Sequence, residues 1–321
     1  MSIILRMMTD ASVSPLIRRA GPDDISLLTS WTSHDPVEWV NGTRLREELA
    51  SRNYRPEWSW IAEQDGHPVA RALWWGKEDA SSPATLDCLS ISTGAHPTVE
   101  VGAALIRAGL EAFGQGAALE YNVDVSPSWA DDPAVVDAVR WRQDAARAGG
   151  FSRTTERISF ARADTDPRPS RSTRLRFVTA PDEAFHGMFA RVATGTLDAH
   201  TLDMVAREGV DALADDDLDF YLSLPGKRQA WREAQLHDGT TIGFIIPTRT
   251  AYDASISYLG VLPEHRGRGY VHDLLAEMVH THHDDGQARI VGTTDAANAP
   301  MRAAFDRAGF TVTRVRIVHE Q

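Results

Sequence analysis

The stretch Leu259-Gly-Val-Leu-Pro-Glu-His-Arg-Gly-Arg-Gly-Tyr-Val271 decides how this chain is read. Upstream, Ser255-Ile-Ser-Tyr-Leu-Gly-Val261 has strand character, and Pro263 ends it because proline cannot donate to a ladder. Downstream, Val271, Leu274, Leu275, Met278 and Val279 recur at helical spacing on one face. A strand therefore runs into a loop carrying Gly267 and Gly269, and the loop opens directly into a helix. First-turn N–H groups of a helix have no intrahelical partner and carry partial positive charge. Glycines keep that backbone open, and Arg266 and Arg268 add charge to the same place. The arrangement predicts an anion site suited to a diphosphate. Taken alone, Arg-Gly-Arg-Gly also suits a plain surface turn.

The surrounding elements follow from the same kind of reading. Leu175 to Val178 is a short strand, and Phe185, Met188, Phe189 and Val192 mark a helix. Asp238-Gly239 is a hairpin turn between strands around Trp231–Leu236 and Thr241–Ile246. Arg289–Thr293 is a strand, Pro300 opens a helix and Gly309 stops it, and Thr311–Val318 is a last strand.

This plan occurs twice. Leu16-Ile-Arg-Arg-Ala-Gly-Pro-Asp-Asp24 resembles Leu175-Arg-Phe-Val-Thr-Ala-Pro-Asp-Glu183 at an offset of 159 residues, and Arg147-Ala-Gly-Gly-Phe151 resembles Arg307-Ala-Gly-Phe310, with Phe151 to Phe310 again 159. Trp60–Gly66 matches Trp231–Gly239 between them. The polar segment Ala163–Ser172 reads as a linker. The expected organisation is a first domain over 1–163, a linker over 164–173 and a second domain over 174–321.

Composition bounds the possibilities. The 321 residues suit two domains, and 42% hydrophobic with 24% charged residues is globular composition. No apolar run approaches the ~18 residues that would span a bilayer. The start, Met1–Arg6, lacks the apolar core of a secretory leader. A single cysteine, Cys88, excludes an internal disulfide and a multi-thiolate metal site, so a cytoplasmic location and no metal are expected. Lys77 and Lys227 are the only lysines among 33 basic residues, a balance typical of a GC-rich bacterial genome. A net charge of −12 disfavours nucleic acid and tolerates a cationic partner.

Residues Arg266-Gly-Arg-Gly269-Tyr-Val271, preceded by Val261-Leu-Pro263, resemble motif A of the GCN5-related N-acetyltransferase (GNAT) superfamily. Asn298-Ala-Pro-Met-Arg-Ala-Ala-Phe-Asp-Arg-Ala-Gly-Phe310 resembles its motif B. The resemblance implies a mixed α/β architecture of two tandem GNAT folds, similar in organisation to mycothiol synthase. It implies acetyl-CoA as co-substrate and a small-molecule amine as acceptor, attacked directly, with the protein a monomer or homodimer. By position, Gly267, Arg268, Gly269, Tyr270, Val271 and His272 would hold the diphosphate with Arg266. Leu259, Gly260 and Val261 would bind the pantetheine arm from one side, and Asn298, with Phe305 nearby, from the other.

The chain departs from the family pattern at three positions. Val271 stands where motif A carries Gly or Ala, Phe305 where the frequent acid is Tyr, and Thr293 where some members carry a Glu base. Tyr258, Asp253 and Glu233 are the substitutes considered. Each has a plainer reading: core or cleft wall for Tyr258, strand capping for Asp253, a solvated side chain for Glu233. Tyr270 is expected to pack beside the loop. The acidic run Asp215–Asp219 and the group His272, His280, His282 and His283 are expected to be solvated, the run with some pull on a cationic acceptor. Cys88 is expected in the core, and core packing explains Trp58, Trp60, Trp74 and Trp75 at least as well as ligand stacking. The first copy reads Gly94-Ala-His-Pro-Thr-Val-Glu-Val-Gly102 where motif A would be, and Val139 replaces Asn298, so this copy is degenerate and expected not to use acetyl-CoA. A CoA-binding protein without catalysis and a transferase of longer acyl groups are the alternatives.

Overall fold

The computed structural model describes residues 15–95, 98–114, 119–250 and 252–321. The chain divides into two compact units, Met1–Thr154 with Ile317–Gln321, and Thr155–Arg316.

In the first unit the chain runs through β1 (Leu16–Arg19), α1 (Ile25–Thr29), α2 (Gly42–Ala50), β2 (Tyr54–Gln64), β3 (His67–Trp75), β4 (Thr85–Ile91), α3 (Val99–Phe113), β5 (Glu120–Val125) and α4 (Pro133–Gly149). Asp65 and Gly66 both adopt positive φ, 52° and 76°, the turn a two-residue hairpin needs, and they join β2 to β3. β1 to β4 are antiparallel in sequence order, and β5 lies parallel beside β4. Trp58, Trp60 and Trp74 are buried, as expected of core residues. Trp74 packs on Gly109 so closely that a Cβ there would come within 2.4 Å of the indole. Cys88 is buried as well, and burial pushes its thiol up to about 12, so it is no nucleophile at neutral pH.

The second unit contains β6 (Arg153–Ala163, from Thr155 on), β7 (Leu175–Val178), α5 (Asp182–Ala193), α6 (Ala199–Glu208), α7 (Val210–Ser223), β8 (Arg232–Leu236), β9 (Thr241–Arg249), β10 (Ala254–Val261), α8 (Tyr270–Asp284), β11 (Arg289–Asp295), α9 (Ala299–Arg307) and the start of β12 (Thr311–Glu320). β7 to β10 are antiparallel, and β11 is parallel to β10. One face of this sheet carries a core built on Leu274, Leu275, Met278, Val279 and Phe305. The other is covered by Phe185, Phe189, Ala214 and Trp231 with Phe244. Each fully buried side chain of this size contributes roughly 1.5–3 kcal/mol.

The strand orders β1-β2-β3-β4-β5 and β7-β8-β9-β10-β11 repeat one plan, but the sixth place is exchanged. Beside β5 lies the end of β12, from Ile317 on, and beside β11 lies β6. The unit boundary therefore falls at 154/155 rather than at the polar segment. The register Asp295↔Arg157 through Arg289↔Ala163 places β6 with the second unit, although in sequence it closes the first copy.

The segment read as a linker is tied down. Arg171 donates to Glu277 at 2.9 Å and to Asp284 at 2.7 Å, both on α8. His280 bonds the Pro169 carbonyl at 2.8 Å, and His282 bonds the Ser255 carbonyl at 2.9 Å. His280 and His282 are thus buried rather than solvated, because the last turns of α8 lie under backbone carbonyls that need donors. Among the described residues no group of three or more His, Cys, Asp or Glu is placed to hold a metal ion, and no helix is long and apolar enough to cross a membrane.

Candidate active site

α8 begins at Gly269, whose φ of 75° is left-handed, and Gly267 has a φ of 76°. A left-handed residue costs roughly 1–2 kcal/mol unless it is glycine. Two such turns let the chain double back tightly between β10 and α8. Among the described residues, no group accepts a hydrogen bond from the N–H of Gly267, Arg268, Gly269, Tyr270 or Val271. Added Cβ atoms at Gly267 would meet nothing, so this backbone is open. Five adjacent donors at the start of a 15-residue helix form a positive concavity.

The arginines divide their roles. Arg268 is exposed, and its carbonyl accepts from Arg174 at 3.1 Å. Arg266 is turned elsewhere. Its guanidinium donates to the carbonyls of Val192 at 2.6 Å, Thr194 at 2.7 Å and Gly195 at 2.9 Å, and its Nε to Val261 at 3.1 Å. It staples the end of α5 to the end of β10, where orphan carbonyls of a helix C-terminus favour a cation. Tyr270 is buried with Arg174 over its ring at 4.6 Å, a packing role. Val271 packs on the α8 core. His272 Nδ1 is buried without a partner among the described residues, and burial, with Arg307 nearby, lowers its basicity.

Next to the loop the sheet is open. β10 and β11 pair only from Ala254↔Ile290 to Ile256↔Gly292. Past that point β10 stays on β9 through Val261↔Gly243, and β11 stays on β6 through Asp295↔Arg157. A register shift between Ile256 and Tyr258 accompanies the parting, as a bulge does. Leu262 N–H donates to Ile242 at 2.8 Å, so by strand alternation Leu259 and Val261 turn their backbone groups toward the opening. Gly260 packs between Phe244 and Val192, where a Cβ would come within 2.7 Å of the Phe244 ring. Asn298 caps α9, its Oδ1 accepting from Met301 N–H at 3.2 Å, which leaves its amide N–H groups for a ligand.

Phe305 packs under the point where β10 and β11 begin to part. It is 1% exposed, stacks on Phe160 and fills the space over Gly292, so it belongs to the core and not to a cofactor surface. The substitutes for the missing acid and base are also sorted by position. Asp253 stands before the far end of β10, roughly 16 Å along the strand from Tyr258, and pairs with Arg289 at 2.6 Å. Glu233 is two strands from Gly260 in the row Glu233–Phe244–Gly260, and it accepts from Gln235 at 2.8 Å and from Thr241. Tyr258 is at the opening, stacked on Phe189 at 5.4 Å and on Tyr221 at 5.1 Å.

Tyr221 brings in a residue that the sequence reading set aside. Asp217 lies one turn before it on α7, and burial, reinforced by Asp198 and Asp216, pushes the Asp217 carboxyl up to about 7. Burial chiefly, then Asp217 and Tyr221, also raises the Tyr258 hydroxyl well above its ordinary value. Asp217 was hidden in the run Asp215–Asp219. The signal was its phase: Leu213, Ala214, Asp217, Leu218 and Tyr221 fall on one helical face, so this acid alone of the run sits among inward residues.

The first unit shows what the same place looks like when closed. β4 and β5 pair only at Thr85↔Glu120 and Leu86↔Tyr121, so they too part. Buried Arg142 fills that gap, donating to Leu89 carbonyl at 2.9 Å and pairing with Asp35 at 2.9 Å. The N-cap of α3 is Thr98, whose hydroxyl accepts from Val101 N–H at 3.2 Å, where α8 has a bare glycine. Pro97, read as a lost donor, lies outside the described residues.

Residues 207–310 match the sequence model of the Acetyltransferase (GNAT) family. Among solved structures, a GCN5-related N-acetyltransferase from Sphaerobacter thermophilus aligns with 96% of this chain and 95% of its own at 16% identity and a TM-score of 0.54. A GCN5-related glucosamine N-acetyltransferase region in a fungal multi-domain β-N-acetylglucosaminidase aligns with 97% of this chain and 38% of its own, also at 16% identity, with a TM-score of 0.53. A tandem GNAT protein from the clavulanic acid biosynthesis pathway covers 95% of this chain at 17% identity and a TM-score of 0.45. No curated protein matches the chain. Residues 207–310 thus match the GNAT family model, and over nearly its whole length the chain shares its fold with a GCN5-related N-acetyltransferase structure, the same strand order recurring in the two units.

Proposed function

We propose that the protein transfers an acetyl group from acetyl-CoA to a primary amine of a small acceptor. The observation that carries this reading is the run of five unpartnered N–H groups from Gly267 to Val271 beside the opening between β10 and β11. Residues 267–272 would hold the diphosphate. Leu259 and Val261 would bind the pantetheine arm as an added strand, with the Asn298 amide on its other side. When bound, acetyl-CoA supplies a thioester whose acyl carbon an amine attacks directly. The chain supplies position and polarisation: a backbone N–H at the end of β10 faces charge developing on the acyl oxygen. Tyr258 stays protonated at neutral pH, as a donor to the leaving sulfur must. The net charge of −12 favours a cationic acceptor over nucleic acid.

Calorimetry with CoA, followed by a thiol-release assay on a panel of amines, tests the reading. Heat on adding CoA and turnover with at least one amine are expected. Binding without turnover of any amine supports a non-catalytic CoA-binding protein, and no heat overturns the site itself.

A further inference from the structure

The face of α7 that meets β10 carries Asp217 and Tyr221 one turn apart, and Tyr221 lies stacked on Tyr258. Asp198, the N-cap of α6, is close enough to act on Tyr221, Tyr258 and Asp217 alike. Its Oδ1 is committed to the N–H and hydroxyl of Thr201 at 2.8 and 2.9 Å. Asp217 accepts no hydrogen bond among the described residues, and neither tyrosine hydroxyl is bonded. A half-buried carboxyl group and two half-buried tyrosines, without hydrogen-bond partners among the described residues, thus lie together beside the strand that turns its backbone toward the opening. Arg157 of β6 is close enough to act on Tyr221 and lies 3.3 Å from Asp295, which in turn accepts from Ala199 N–H at 2.9 Å. That cation is already neutralised. Arg266 also acts on the Tyr258 hydroxyl, but its donors are spent on the carbonyls of Val192, Thr194, Gly195 and Val261, which leaves the carboxyl groups of Asp198 and Asp217 to meet an acceptor.

We propose that Asp217 is the general base of the transfer and that, with Asp198, it selects a primary ammonium carrying no carboxylate beside it. This rests on the acetyl-transfer reading above. Asp217 takes one proton from the ammonium. The freed lone pair forms the C–N bond to the acyl carbon, and the C–S bond breaks. Tyr258 gives its proton to the sulfur and receives the second amine proton, and Asp217 releases its own to water. Protons and charge balance without a further reactant. The faces of Tyr221 and Tyr258 suit an ammonium, which aromatic rings attract. A carboxylate on the neighbouring carbon would meet two acids instead.

Two measurements test the assignment. The first is the carboxyl-carbon NMR titration of the full chain, with Asp217 identified by its absence from D217N. Titration near neutrality supports the base, and titration in the ordinary carboxylate range overturns it. The second uses acceptor pairs that differ only in the carboxylate: tyramine and tyrosine, cadaverine and lysine, ethanolamine and serine. The amine of the productive pair should exceed its amino acid by about tenfold or more in kcat/KM, and D217N should lose about a hundredfold in kcat. CoA heat in D217N should match that of the parent, which shows the variant is folded. Preference for the amino acid, or an undiminished D217N, overturns the proposal while the CoA site stands. Loss of CoA heat in the parent chain overturns the reading beneath it instead.

Discussion

Phe305 stacks on Phe160 with ring centroids 4.5 Å apart and planes at 14°, and its edge lies where a Cβ on Gly292 would come within 2.7 Å. A side chain so enclosed has no room for a hydroxyl and no partner for one. Phe305→Tyr is therefore expected to lose about 1–3 kcal/mol of stability, the cost of an unsatisfied buried polar group, without gaining turnover. Denaturant unfolding beside a thiol-release assay checks both halves. A variant of undiminished stability and higher kcat would show that position 305 reaches the acyl group after all.

Gly267 and Gly269 both need the left-handed region. Alanine at either is expected to lower stability by roughly 1–2 kcal/mol and to weaken CoA binding by about tenfold, because the strained loop re-aims its donors. Gly309, with a φ of 80°, is the control, since alanine there carries the same strain outside the loop. Equal loss of CoA affinity in all three variants would mean that the effect is general destabilisation.

Asp217 makes stability depend on pH in a defined direction. Its folded-state value of about 7 lies above its ordinary 3.8, so between these values the folded chain holds more protons than the unfolded one. Stability should fall as pH rises through that window and level off above it. Asp217→Asn should abolish this slope and add on the order of 2 kcal/mol at pH 8, after allowance for solvent screening. Thermal unfolding of both proteins from pH 4 to 8 measures it. Parallel curves would place Asp217 in a solvated setting.

The gap between β4 and β5 is closed by a charge, and removing it leaves another exposed. Arg142→Ala strands Asp35, which is expected to cost about 3–5 kcal/mol. The double variant Arg142→Ala with Asp35→Ala should recover part of that loss. A strictly additive pair in urea unfolding would mean that the two side chains do not support each other.

The order of elements was legible because each boundary had local chemistry behind it: Pro263 ending β10, Asp238-Gly239 at the hairpin, Gly309 after α9. The phosphate loop was legible for the same reason, since positive φ at Gly267 and Gly269 is a property of residue type. What could not be read depended on long-range pairing. Nothing local tells β6 to lie on β11 rather than complete its own copy's sheet. Arg266 looked like a phosphate ligand, and only the distant carbonyls of Val192 to Gly195 show where its fork points. Asp217 was masked by three aspartate neighbours of different helical phase.

The exchange of the sixth strands has a consequence for how this chain comes off the ribosome. Residues 15–154 can be translated, and most of the hydrogen bonds among those described formed, while β5 still lacks its outer neighbour. That neighbour is encoded more than 150 codons later, from Ile317 on. The first unit must therefore wait with a bare strand edge, open to strangers, until the stretch from Ile317 on has been made.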